Sequence, residues 1–204
     1  MIKKIKLLTD GNFEIDLGLL VYGKTPYYGK KYMAALKPLL VVTESDNILI
    51  DSGAGELPEK YQKYQKVERE VGLVDSLKNE DLSPDDISIV INTHLHFDHC
   101  GGNKLFSNAK FYVQAKEREY VENPHRFMKG GYIRDYYEDI NFEMLKGERW
   151  IVEDELEVIP TPGHTPGHQS VLIEAEDKKY IYCGDVAPLE ENLRDRNIVG
   201  ILFN

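Results

Sequence analysis

Ten residues constrain this chain more than any others: Thr93-His94-Leu95-His96-Phe97-Asp98-His99-Cys100-Gly101-Gly102. Three imidazoles and a carboxylate fall within six of them, directly after the apolar run Ile87-Ser88-Ile89-Val90-Ile91. Such a run reads as a buried strand, and side chains alternate faces along an extended chain. His94, His96 and Asp98 are then expected on one side. His99 turns to the other as Gly101-Gly102 permits a sharp exit. Neutral imidazole and carboxylate are donors that Zn, Fe, Mn or Co accept. So many donors in one short loop can serve two adjacent ions. A strand end that is His-rich by coincidence is the competing reading, and the density of the H-x-H-x-D-H pattern makes it the weaker one.

T-H-L-H-F-D-H-C-G-G resembles the signature of the metallo-β-lactamase superfamily of metal-dependent hydrolases. The resemblance implies an α/β fold, an αββα sandwich. It also implies later ligands: a His after one strand, a bridging Asp after another, and a last His near the end. Downstream, a strand ends in two Pro-Gly-His repeats, Thr161-Pro162-Gly163-His164-Thr165-Pro166-Gly167-His168, which suit a stiff turn presenting an imidazole. With Gln169-Ser170 this stretch resembles the acyl-homoserine lactonases and their neighbours. By that resemblance His164 completes a three-His site with His94 and His96, while His168 opens the next strand and hydrogen-bonds within the scaffold. Residues 171–174 and 179–183 read as a hairpin across Asp177-Lys178, leading to Gly184-Asp185. In isolation that Gly-Asp is a turn. In the resembled pattern Asp185 is the bridging carboxylate, and the second site holds Asp98, His99 and Asp185. Asp51, at another strand end, reads alone as a turn or cap; the family places an acidic residue there to brace the metal loop from behind.

The pattern departs from the family in two places. No His follows His168, and the chain stops at Ile201-Leu202-Phe203-Asn204. The last strand and helix are therefore expected to be missing, with residues 1–204 forming a single, C-terminally incomplete domain. The tyrosine that lactonases carry three residues after the bridging Asp is replaced by Pro188, which weakens the match to acyl-homoserine lactones as the specific substrate. Diiron flavoproteins of the superfamily carry H-x-E-x-D, and His96 stands in place of that Glu.

The rest of the chain is read around this centre. Residues 2–52 read as a β-meander with strands at 3–8, 13–22, 39–43 and 47–51, interrupted by a Gly-, Pro- and Tyr-rich loop over 22–33. Apolar spacing predicts helix over 56–80; the resembled fold implies a helix from about 103, and 110–113 reads as a strand with helical stretches over 114–121 and 133–145. His125 reads as an exposed loop residue, Cys100 and Cys183 as small core fillers with free thiols, and Phe97 as packing under the loop. A length of 204 residues suits one domain. The net charge of −10 argues against nucleic acid, and the early lysines Lys24, Lys30, Lys31 and Lys37 read as solvated surface. No apolar run approaches the roughly 18 residues of a membrane span, and the N-terminus lacks a signal-peptide core, so a cytoplasmic protein is expected.

The resulting functional expectation is a hydrolase with two divalent ions, zinc first, with iron, manganese or cobalt also suitable. Ions about 3.5–4 Å apart generate a bridging hydroxide at neutral pH. It attacks a small carbonyl substrate, a lactone or ester, with Asp98 orienting the nucleophile and passing its proton on. The alternatives are thioester hydrolysis of the glyoxalase II type and a degenerate metal-binding protein without turnover. The partner is a small molecule rather than nucleic acid or membrane, and a homodimer is compatible with the reading.

Overall fold

The computed structural model describes residues 1–176 and 178–200. Asp177, half of the predicted hairpin turn, and the apolar end 201–204 lie outside the described residues. In chain order the strands and helices are β1 (Lys4–Leu7), β2 (Asn12–Asp16), β3 (Lys31–Ala35), β4 (Leu39–Val42), β5 (Asn47–Ile50), α1 (Glu59–Gln62), β6 (Val67–Glu68), α2 (Leu73–Lys78), β7 (Ile89–Ile91) and α3 (Phe97–Cys100). They continue with β8 (Lys110–Gln114), α4 (Ala115–Tyr120), β9 (Phe142–Leu145), β10 (Arg149–Val152), β11 (Leu156–Pro160), β12 (Gln169–Ala175), β13 (Lys178–Tyr182) and α5 (Glu190–Arg194).

Two sheets face each other. One runs β1-β4-β5-β7-β8-β9, the other β10-β11-β12-β13. The central strands β4, β5 and β7 are apolar at nearly every position because both their faces are covered. Val41, Ile48, Ile50 and Ile91 pack inward against Leu156, Val158, Val171 and Ile173 of the second sheet. Leu40, Leu49 and Val90 point the other way, onto Leu73 and Leu77 of α2. The β5, β7, β8 and β9 pairings are parallel, so the loops after β5, β7 and β8 emerge at one end of the sheet. Open α/β sheets place their sites at that end. Among the described residues no helix is long and apolar enough to cross a membrane.

Several local expectations give way to tertiary pairing. Residues 2–52 are not a meander: β1, β4 and β5 join the large sheet, while β2 and β3 form a separate sheet with β6. The tyrosine-rich loop is shorter than read, because Lys31–Ala35 pairs along β2. Helical spacing over 56–80 is broken where Val67 and Glu68 add to β2 opposite Phe13 and Asn12. The helix expected from about 103 is one 3-10 turn, Asn103–Leu105. The helix expected over 133–145 becomes the 3-10 turn Arg134–Tyr136 and then β9, whose residues satisfy the open edge of β8. Cys183 is half-buried beside the solvent-facing β13 rather than in a buried strand.

The Asp10 carboxylate is a buried junction. It accepts from the backbone of Ala54 at 2.8 Å and Leu73 at 3.2 Å and pairs with Arg69 at 3.0 Å. Asp10→Ala leaves those donors unmatched and should cost about 3 kcal/mol. A shift in the urea midpoint equivalent to under about 1 kcal/mol would show that water replaces the carboxylate there.

Candidate metal centre

The site grows from the end of β7. Two buried amides hold the departing chain: Asn103 Nδ2 donates to Asn92 Oδ1 at 2.9 Å, and Ser52 Oγ donates to Asn103 Oδ1 at 2.8 Å. The metal loop is less extended than the alternation argument assumes. His94 and His96 lie in irregular backbone, and Phe97–Cys100 closes a single helical turn. Asp98 is thus carried away from the His94–His96 pair and grouped with His99. Phe97 is buried and packs edge-on against Phe13 at 5.9 Å. Cys100 is a buried filler whose thiol donates to Leu95 O.

Asp51 sits behind the loop in a left-handed conformation, φ 59°. Its Oδ2 accepts from Thr93 Oγ1 at 2.8 Å and from His99 Nδ1 at 2.7 Å, while Oδ1 accepts from Thr93 N at 2.7 Å. The hydroxyl of Thr93 has one proton, given to Asp51, so it accepts from His94 Nδ1 at 3.0 Å. One carboxylate thereby fixes the orientation of two imidazoles with their Nε2 atoms facing forward, the role outer partners play around metal-binding histidines.

Those nitrogens converge. His94 Nε2 and His164 Nε2 lie 3.0 and 2.9 Å from His96 Nδ1, and His164 Nε2 lies 3.4 Å from Asp185 Oδ2. On the other side of Asp185, Oδ1 is 3.1 Å from His99 Nε2, which is 3.6 Å from Asp98 Oδ2. Donor atoms of His94, His96, His164 and Asp185 form one group within 4.8 Å; those of Asp98, His99 and Asp185 form another. Asp185 belongs to both. The donor set fits cations: His96 Nδ1 carries at most one proton and cannot satisfy two imidazole nitrogens by hydrogen bonding. Ligands about 2.0–2.1 Å from a tetrahedral zinc lie about 3.4 Å apart, close to the spacing seen.

His168 takes no part in either group. Its Nε2 accepts from the backbone N–H of Asp185 at 3.2 Å, which leaves Nδ1 to donate to Thr161 Oγ1 at 2.9 Å. His125 is exposed and apart from the centre. The residue that sequence reading missed is Glu117 on α4, fully buried and hydrogen-bonded to both histidine-bearing loops. A lone Glu in an amphipathic helix gives no signal of that role. Two cavities open onto the centre. One of about 280 Å³ is lined by Phe13, Ile15, Phe127, Met128, Asp98 and His164; one of about 480 Å³ by Leu20, Tyr32, Leu36, Ile181, His99 and Asp185.

Burial holds His94 and His96 well below the usual imidazole range and pushes His168 down to about 3. All three are neutral in the fold but protonate near pH 6.5 in the unfolded chain. Their contribution is complete above that pH and is lost as pH falls toward the folded values. Burial raises Asp98 and Glu117, which opposes the loss. Burial also opposes charge on His99, yet Asp185, Asp51 and Asp98 outweigh it and raise His99, so its contribution is lost on the alkaline side. Between about pH 6.5 and 4 three groups act against two. The metal-free protein should therefore unfold at lower urea at pH 5 than at pH 7, and a midpoint that rises on acidification contradicts the assignment of neutral imidazoles.

Comparison with known proteins agrees with this geometry. The sequence model of the metallo-beta-lactamase superfamily matches residues 38–203. An N-acyl homoserine lactonase of Bacillus thuringiensis is 30% identical over 206 residues, covering 95% of this chain and 80% of that protein. A solved N-acyl homoserine lactone hydrolase, with the product N-hexanoyl-L-homoserine bound at its catalytic metal center, superposes with a TM-score of 0.80 at 29% identity, over 96% of this chain and 80% of the other. A crystal structure of a probable metal-dependent hydrolase from Staphylococcus aureus gives a TM-score of 0.85 at 25% identity, over 98% and 78%.

Proposed function

Because the chain belongs to the metallo-beta-lactamase superfamily, we propose that it is a dinuclear metallo-hydrolase that opens lactone- or ester-type small molecules, with zinc the first metal to test. The observation that carries this reading is the sharing of Asp185 between two donor groups, one oxygen toward the His94–His96–His164 nitrogens and the other toward His99. In this reading His94, His96 and His164 hold one ion, Asp98 and His99 the other, and Asp185 both. Bound ions supply Lewis-acid polarisation of a carbonyl and a water acidic enough to ionise near neutral pH.

The chain's own residues do the remaining work. Asp51 keeps His94 and His99 in one tautomer, and the His168 imidazole holds the Asp185 backbone. Asp98 borders both cavities, so its carboxylate is placed to take a proton from the nucleophile and return it to the leaving oxygen. Apolar walls from Phe13, Ile15 and Leu20 suit a substrate with an aliphatic portion beside its carbonyl. N-acyl homoserine lactones, on which the relatives act, are the first substrates to assay.

The test is elemental analysis of the purified chain followed by hydrolysis of a panel of N-acyl homoserine lactones, simple lactones and thioesters. About two ions per chain are expected, with lactone opening that stops on chelation and returns with metal. Metal uptake with thioesters as the only substrates would move the reading to the glyoxalase II type. Absence of both uptake and turnover would overturn it.

A further inference from the structure

Glu117 has no ion pair with lysine or arginine among the described residues and is 0% exposed. Burying a carboxylate costs several kcal/mol unless its oxygens are matched by donors. Here four donors match it, three of them from the two histidine loops. Oε1 accepts from Leu95 N at 3.0 Å and Tyr132 Oη at 3.2 Å; Oε2 accepts from Thr165 Oγ1 at 2.6 Å and Gly167 N at 3.3 Å. Leu95 lies between His94 and His96, Thr165 directly follows His164, and the Tyr132 ring packs on His96 at 4.6 Å. A Cβ at Gly167 would overlap the backbone of Glu117, so the His164 turn lies flush on α4. The two loops leave different sheets and their histidines are 68 residues apart. Among the described residues, no carboxylate outside the two donor groups bonds to both.

We infer that Glu117 is a positioning residue for the metal centre, setting the separation between the His94–His96 pair and His164. The inference rests on reading those three histidines as ligands of one ion. Only an acceptor on both branches suits the site. Glutamine has the same shape, but whichever way it is turned its NH2 faces a backbone N–H, that of Leu95 or of Gly167. A residue that merely bolted the scaffold would affect stability without affecting the ion.

The test is cobalt(II) titration of the metal-free protein, read by binding affinity and by the visible ligand-field band, which reports coordination geometry. Four proteins are compared: wild type, Glu117→Gln, Thr165→Val and Tyr136→Phe. Tyr136 donates a partly buried hydrogen bond to Glu56 O at 2.7 Å, away from the histidines, and serves as the stability control. Glu117→Gln should bind cobalt about 10–100-fold more weakly with an altered band. Thr165→Val should do so to a smaller degree, and Tyr136→Phe should lose thermal stability while binding as wild type does. Wild-type affinity and band in Glu117→Gln, or in Thr165→Val if the first variant does not fold, overturn the inference alone. Failure of the wild-type chain to take up cobalt overturns the reading of the centre and the inference with it.

Discussion

Replacing His164 by alanine should remove tightly bound metal from the first site and lower kcat/KM by more than the roughly 100-fold that loss of an outer partner costs. The side chain is 2% exposed and comes from a turn between β11 and β12, far in sequence from His94 and His96. Its Nε2 closes the triad on one side and faces Asp185 on the other. Without it, two imidazoles and one carboxylate oxygen remain, and water must fill the gap. His94→Ala should have the same consequence for a different reason: it empties a fully buried position whose Nδ1 is committed through Thr93 to Asp51. His125→Ala, at an exposed position, is the matched control and should change nothing. Metal content per folded chain, with circular dichroism to establish folding, is the decisive measurement. Equal metal content in His164→Ala, His94→Ala and wild type would remove both residues from the ligand set.

These residues were legible because their chemistry is concentrated. Six residues of the β7 loop contain four donors, and Pro-Gly-His turns are uncommon enough to stand out in one chain. Asp185, and the choice of His164 over His168, were legible only by resemblance; a Gly-Asp strand end carries no metal signal of its own. What stayed hidden depends on distant pairing. Val67 and Glu68 lie in a helix-like pattern and become strand because β2 offers them an edge. Phe142–Leu145 does the same beside β8. The sheet to which each N-terminal strand belongs is likewise set by partners tens of residues away, not by its own alternation. Glu117 was hidden for another reason: burial of a charged side chain leaves no trace in periodicity, and its value comes from donors on two loops that meet only in the folded chain. The alternation argument for Asp98 grouped it with the wrong neighbours because one helical turn, closed by Phe97–Cys100, rotates it toward His99.

That rotation gives the second large prediction. Asp98→Asn keeps the shape of the side chain and removes the ability to carry a proton. Its carboxylate lies at the rim of both cavities and touches the second donor group through the 3.6 Å approach to His99. The fold should survive, because Asp98 takes no part in the Asp51–Thr93–His99 brace or in the Glu117 junction. Turnover should fall by about 10²–10⁴, the usual weight of a positioned general acid–base, with kcat bearing the loss and KM little changed. The leaving group separates the two duties assigned to Asp98. An alkoxide released from a lactone needs a proton, whereas a thiolate, with a thiol pKa of about 8.5, leaves without one. If Asp98 delivers that proton, the variant's deficit should shrink markedly on a thiolactone matched to the lactone. An equal deficit on both, together with loss of one ion per chain, would make Asp98 a ligand whose proton transfer is incidental; full activity on both would take it out of the mechanism.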